Sequence, residues 1–155
     1  MLGIWEFDMD AVEKLLAIED IKVLKARYFR LMDMRQWDQW EQLFTPDFVA
    51  EFPDDQKDAP PFRGRTAFVE MTKSIHGKSL SVHHGYMPEI EITSPTTARA
   101  VWAMEDIMKW PEGGVTKVGA RGLLGWGHYH ETYIKSVTGW RIASTKLTRL
   151  NVQYS

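Results

Sequence analysis

Tyrosines, carboxylates and histidines set among apolar neighbours are the residues of this chain that could move protons. "KARYFRLMD", Lys25 to Asp33, places Tyr28 and Asp33 at the end of a segment otherwise committed to packing. Two readings compete there. In one, Tyr28 is an amphipathic core residue and Asp33 a solvated helix end. In the other, both point into a pocket and take part in proton transfer. "SVHHGYMPEIEIT" adds adjacent histidines, His83 and His84. An imidazole titrates near neutral pH and serves as acid or base, yet a single histidine is equally at home as a hydrogen-bonded core residue. On a regular strand the two rings point to opposite sides. Strict alternation groups His84, not His83, with Tyr86, Ile90 and Ile92. Gly85 and Pro88 lie between, and a bulge there changes the phase, so alternation alone does not choose the inward histidine.

"VWAMEDIMKW" is the most informative strand-like stretch. A period of two puts Trp102, Met104, Asp106 and Met108 on one face, with Val101, Ala103, Glu105 and Ile107 on the other. Asp106 is thus a lone acid in a row of large apolar side chains. Burying an ionised carboxylate is costly unless it is paired, so either Asp106 has a partner or it sits at a wet strand end. In "STKLTRLNVQYS", Thr145, Leu147, Arg149 and Asn151 share a face. Arg149 could pair with Asp106 or Asp33, or clamp a substrate carboxylate, or lie solvated near the C-terminus. His128 and His130 share a face with Trp126, where surface or interface positions are the simpler reading. Two residues apart on a strand, they are also the one histidine pair that could chelate, but no ligand spacing on a helix supports a metal site.

Other chemistries find no support. "PEGGV" is a turn with no following helix or Lys-Ser/Thr, so no phosphate loop is present. There is no G-x-S-x-G elbow, and with no cysteine there is neither thiol catalysis nor a disulfide framework. A net charge of −2 with scattered basic residues offers no field for nucleic acid. No window approaches 18 apolar residues, so no membrane span is expected. The acidic N-terminus "MLGIWEFDMD" does not read as a signal peptide, and a reducing, cytoplasmic location is the expectation.

These residues need elements to hold them. At 155 residues, 44% hydrophobic and 12% aromatic, the chain reads as one globular domain over residues 1–155. Apolar residues recur at helical spacing from Asp10 to Asp33: Val12, Leu15, Leu16, Ile21, Leu24, Tyr28 and Leu31. Trp37 to Phe44 predicts a second, short helix, stopped near Pro46. "DFVAEF" predicts a strand, and Gly64 to Ile75 a third helix. The polar, proline-rich "PDDQKDAPPFRG", Pro53 to Gly64, is long enough to be a lid. Ser79 to Thr93, Thr97 to Trp110, Val115 to Ser136 and Trp140 to Val152 are strand-like. Helices segregated to one face of a curved antiparallel sheet give an α+β cone with an apolar interior.

In order and spacing, "AIEDIKVLKARYFRLMDMRQWD", "SVHHGYMPEIEI", "WAMEDIM" and "KLTRL" resemble the SnoaL-like, scytalone dehydratase-like branch of the nuclear transport factor two-like superfamily. The nearest type is the bile-acid 7α-dehydratase, over about Ile18 to Leu150. The resemblance implies a cone-shaped, mixed sheet wrapped on three N-terminal helices. It also implies catalytic roles for Tyr28, Asp33, His83, Asp106 and Arg149. It selects His83 over His84 and so requires a bulge between Gly85 and Pro88. Departures fall at Tyr86, in "KWPEGGV" and in "RGLLGWGHYH", segments expected to line or rim the pocket.

The expected activity is a lyase that eliminates water from an apolar, polycyclic or aromatic carbonyl compound. His83, held by Asp33, takes the proton; Tyr28 supports the enolate; Asp106 protonates the leaving hydroxyl; Arg149 orients Asp106 or binds an acidic group of the substrate. No cofactor or metal is needed, because the carbonyl is the electron sink. A ketosteroid-isomerase-like isomerisation, an aldol-type cyclisation, an epoxide hydrolysis and a non-catalytic ligand-binding cone remain alternatives. A sheet face carrying Trp110, Trp126, Tyr129 and Tyr133 predicts a homo-oligomer, a trimer or a dimer by resemblance.

Overall fold

Asp10 opens the first helix with a reciprocal cap: Glu13 N–H donates to Asp10 Oδ1 at 2.8 Å, and Asp10 N–H donates to Glu13 Oε2 at 3.0 Å. The helix α1 runs Ala11–Asp33 in the computed structural model, which describes residues 9–111 and 119–155. The acidic N-terminal stretch lies largely outside these, as does "EGGVTKV". The buried residues of α1 are Ala17, Ile21, Leu24, Lys25, Tyr28, Leu31 and Met32, spaced by three and four. Val12, Leu15 and Leu16, expected in the core, are each more than 60% exposed. Residues 10–16 are all exposed, so the first turns of α1 have nothing described to pack on.

The second helix, α2, is only Trp37–Glu41. It ends before Phe44 because β1, Phe44–Glu51, begins there and carries Pro46 within it. A register shift between Phe44 and Val49 in the pairing of β1 with the last strand accommodates the proline. After β2, Phe62–Arg63, comes α3, Arg65–His76, followed by β3, Leu80–Ser94, β4, Thr97–Lys109, β5, Gly122–Ser136, and β6, Gly139–Tyr154. Strand β5 was expected from Val115; residues 115–118 are not described, and 119–121 are not in strand.

Six strands form one mixed sheet in the order β2-β1-β6-β5-β4-β3. All neighbours are antiparallel except β1 and β6, which run parallel. The three helices and this open curved sheet make the expected α+β cone. Among the described residues no helix is long and apolar enough to cross a membrane.

On β4, Trp102, Met104, Asp106 and Met108 are buried, as their spacing predicts. On β3, Ser81 and His83 face in and His84 faces out. The β3–β4 register slips between Tyr86 and Glu89, and Met87 takes φ 23°. The bulge required to turn His83 inward is therefore present, and beyond it the inward positions become Ile90 and Ile92. Tyr86, expected to rim the pocket, is exposed on the outer face and donates to Glu105 Oε2 at 2.9 Å. Tyr129 and Tyr133, expected on an exposed face, are buried to 3% and 1% exposure. Alternation on β5 puts them inside, which removes two residues from the argument for an oligomer.

One end of the cone is filled rather than hollow. Trp40, Phe44, Phe48 and Phe68 pack ring on ring, with centroids 4.4 to 5.5 Å apart.

Candidate active site

Asp33 is delivered by the way α1 ends. Arg35 takes the left-handed φ of 56°. The amides of Arg35 and Gln36 then turn back onto the carbonyls of Met32 at 3.0 Å and Leu31 at 2.8 Å, a helix stop of the Schellman kind. The Asp33 carboxylate meets β3 and accepts three bonds there. His83 N–H donates at 2.9 Å, Ser81 Oγ at 3.0 Å, and His83 Nδ1 lies at 2.6 Å. An ionised carboxylate only accepts, so Nδ1 of a neutral His83 carries the hydrogen and Nε2 the lone pair. No hydrogen bond from Nε2 is found among the described residues. Close approach of α1 makes this possible: a Cβ on Gly85 would stand 2.6 Å from Phe29 Cε2.

Asp106 stands directly opposite His83 in the β3–β4 register. Its partner is Arg149, whose Nη1 and Nη2 donate to its two oxygens at 2.9 Å each. Of the partners expected for Arg149, the one it meets at its two terminal nitrogens is Asp106. Burial works against the Arg149 charge, but the hydrogen bonds and charge of Asp106, with Asp55, more than offset it and hold the guanidinium above its ordinary pKa. Gly125, beside Asp106 on β5, leaves the space for this pair. A Cβ there would lie 2.1 Å from Asp106 Oδ1 and 2.4 Å from Arg149 Nη1.

Tyr28 is brought elsewhere. Five residues before Asp33 it points about 140° away around the helix. It makes no hydrogen bond to Asp33 or His83 among the described residues. Its ring meets that of Tyr129 edge-on, with centroids 6.1 Å apart, and burial, then Tyr129 and Glu131, raise its pKa well above the ordinary value. Tyr129 is likewise raised by burial and by Asp106, which places the phenol pair between the two halves of the site.

Three groups escaped the sequence reading. Lys25 and Glu131 form a fully buried ion pair at 2.6 Å. The Lys25 Nζ lies 3.9 Å above the Tyr28 ring and 4.0 Å above that of Tyr129. Burial lowers the Lys25 pKa, against the raising effect of Glu131. The cue was available: Lys25 falls in phase with Ile21, Tyr28 and Met32. Ser81, next to the histidine doublet in sequence, had no such cue. His76, at the end of α3, lies with its ring 5.3 Å from that of His83. Its buried Nδ1 has no hydrogen-bond partner among the described residues. Burial first, then His83, push its pKa down to about 3, so it is neutral.

His84, His128 and His130 lie away from this cluster; His84 and His130 are exposed. Among the described residues no group of three or more His, Asp or Glu side chains is arranged to hold a metal ion. An open groove of about 710 Å³ runs along Glu91, Arg99, Val101, His130 and Thr132. It contains no imidazole–carboxylate pair; Asp33 and His83 form one, which makes them the candidate site.

The SnoaL-like domain family matches residues 13–146. This chain belongs to that family. A relative, the probable cyclase FGR4 of Gibberella zeae, is 28% identical over 135 residues, covering 81% of this chain and 86% of its own. Among solved structures, a putative scytalone dehydratase from Novosphingobium aromaticivorans superposes with a TM-score of 0.81 at 17% identity, over 94% of this chain and 92% of its own. The hexachlorocyclohexane dehydrochlorinase LinA-type3 from Novosphingobium barchaimii gives 0.77 at 12% identity, over 94% of each chain. At those identities the two structures are alike in fold.

Proposed function

We propose that this SnoaL-like protein is a cofactor-independent lyase that eliminates water from an uncharged, apolar carbonyl compound. The observation that carries this reading is the dyad: His83 Nδ1 bound to Asp33 at 2.6 Å, with no bond from Nε2 among the described residues. Asp33 fixes the ring and supports positive charge on it. Nε2 takes a proton from the carbon α to the carbonyl, and the electron pair moves to the carbonyl oxygen as an enolate. Collapse of the enolate expels hydroxide from the β carbon. The hydroxide takes the proton back from Nε2, leaving neutral His83, an enone and water. Relatives named as a probable cyclase, a putative scytalone dehydratase and a dehydrochlorinase support chemistry of this general kind.

Asp106 takes a different role from the acid expected of it. Bidentate to Arg149, it stands as a carboxylate across from His83 and stabilises the transient imidazolium. Arg149, facing Asp106 and Asp55, has no carboxylate to seek from a substrate, which favours an uncharged one. Tyr28, its ring packed against that of Tyr129, is the phenol assigned to support the enolate oxygen. Trp102, Met104 and Met108 supply the apolar flank.

Incubation with neutral β-hydroxy ketones of the steroid, polyketide and aromatic classes should give a product lighter by one water. His83→Ala should remove that product while the circular dichroism spectrum stays unchanged. Turnover that survives His83→Ala would sink the reading. A product of unchanged mass with a moved double bond would replace it by an isomerase.

A further inference from the structure

Between β1 and β2 the chain makes the loop 53–61, "PDDQKDAPP". Its backbone bonds are local: Gln56 N–H donates to Phe52 O at 2.8 Å and Ala59 N–H to Gln56 O at 3.1 Å. A void of about 90 Å³ among Ala50, Phe52, Gln56, Pro60 and Phe62 separates it from the strands beneath. Among the described residues, every side-chain hydrogen bond from this loop to the rest of the chain ends on Arg149. Asp54 Oδ2 accepts from the Arg149 backbone N–H at 2.8 Å. Asp55 Oδ1 and Oδ2 accept from Arg149 Nε at 3.2 and 3.1 Å. The same guanidinium gives Nη1 and Nη2 to Asp106. One cation thus ties an exposed loop to a buried carboxylate opposite His83.

We propose that loop 53–61 is a cover latched to the active site through Arg149, and that Asp55 is a positioning residue for Asp106. A guanidinium is planar, so fixing the direction of Nε–H also fixes where both Nη groups point. Asp55 holds Nε and thereby turns the fork squarely onto Asp106. With Asp55 gone, Nε loses its partner, the loop keeps only the bond from the Arg149 backbone N–H to Asp54, and the fork on Asp106 loses the group that aims it. Because two carboxylates share one cation, neutralising Asp106 strengthens the hold of Asp55. The catalytic consequence rests on the proposed role of Asp106; the latch itself does not.

Trypsin offers a direct readout, since Lys57 is the one Lys or Arg in the loop and is exposed. Its cleavage in the native protein, read by mass spectrometry against cleavage at Lys25, buried within α1, reports opening of the loop apart from global unfolding. Asp55→Asn should speed cleavage at Lys57 about 10-fold, the scale of one partly exposed arginine–carboxylate contact. Asp58→Asn makes the same charge change in the same loop without touching Arg149, and should stay within about 2-fold of the parent. Asp106→Asn should slow cleavage, by about 3-fold, because Arg149 then belongs to Asp55. Equal rates for the Asp55 and Asp58 variants, or cleavage indifferent to Asp106→Asn, would overturn the latch. On a converted substrate, Asp55→Asn should lower kcat more than it raises KM; an unchanged kcat would overturn the positioning role. If no tested compound is converted, the cleavage arm still decides the latch, so the two failures are distinguishable.

Discussion

Lys25–Glu131 and Asp33–His83 are both carboxylate pairs buried between α1 and the sheet, and both measure 2.6 Å. They differ in what is left over. Glu131 accepts from Lys25, from Thr145 Oγ1 at 3.2 Å and from the Tyr133 hydroxyl. Tyr133 in turn accepts from Trp102 Nε1 at 2.9 Å, and the ammonium of Lys25 rests on two phenol rings. Both side chains are 0% exposed. In the dyad Asp33 keeps 20% side-chain exposure and His83 Nε2 has no bond among the described residues. A saturated, sealed pair can only hold structure. A pair with one open valence, fixed by three bonds on its other side, can exchange a proton. The same distance therefore serves two ends, and satisfaction of the remaining valences separates them.

Breaking the open pair should affect turnover and little else. Asp33→Asn leaves the shape but removes the charge that supports the imidazolium. It should cut kcat by about 10²- to 10⁴-fold, with the urea midpoint nearly unmoved. A large loss of stability with little change in kcat would place Asp33 with Lys25 instead. Breaking the sealed pair should do the reverse. Lys25→Met strands Glu131 in the core and should cost about 3–5 kcal/mol of unfolding free energy. Lys25→Met with Glu131→Gln, having no stranded charge, should recover part of that. If the double variant is no more stable than the single one in urea melts, the pair is not the source of the cost.

The sequence made the open pair easier to read than the sealed one. Asp106 stood out because a charge interrupts an apolar alternation, and Arg149 was a candidate as a cation that could pair with it. Lys25 interrupts the helical stripe in the same way, but a lysine on a helix flanked by other charges passes for its solvated side. Glu131 lies in the "HYHET" of β5, where neighbouring polar residues hide the alternation. Alternation did not choose His83; the resemblance did, and it required a bulge between Gly85 and Pro88, a backbone event that residue types permit without dictating. The fold was legible because long stretches repeat one period. Its errors fall where packing partners decide: Val12, Leu15 and Leu16 have the right spacing and nothing described to pack on, and Tyr129 and Tyr133, expected on an exposed face, are buried.

Gly125 tests how tightly the Asp106–Arg149 half of the site is set. Alanine there would put a methyl group 2.1 Å from Asp106 Oδ1, so the fork must move. An overpacking cost of about 1–3 kcal/mol is expected, with a fall in kcat alongside it because the displaced group faces His83. Loss of stability with turnover unchanged would separate Asp106 from the chemistry.

His76 stands between the two classes: half-buried as a residue, its buried Nδ1 has no partner among the described residues, as Nε2 of His83 has none. Its ring faces His83, Asp106, Asp33 and Arg35, and its pKa falls from 6.5 to about 3. A folded-state value below the unfolded one means that the neutral form stabilises the fold. That contribution is complete above pH 6.5 and is lost as pH drops toward 3. The slope from this one group is at most about 1.4 kcal/mol per pH unit. His76→Gln cannot take up the proton, so its unfolding free energy should fall less steeply than the parent's in urea melts between pH 7 and pH 4. Carboxylates that titrate in the same window are common to both proteins and largely cancel in the difference. If the two curves run parallel, His76 exchanges protons as freely folded as unfolded. It would then belong with the solvated histidines of the outer face rather than with the dyad it adjoins.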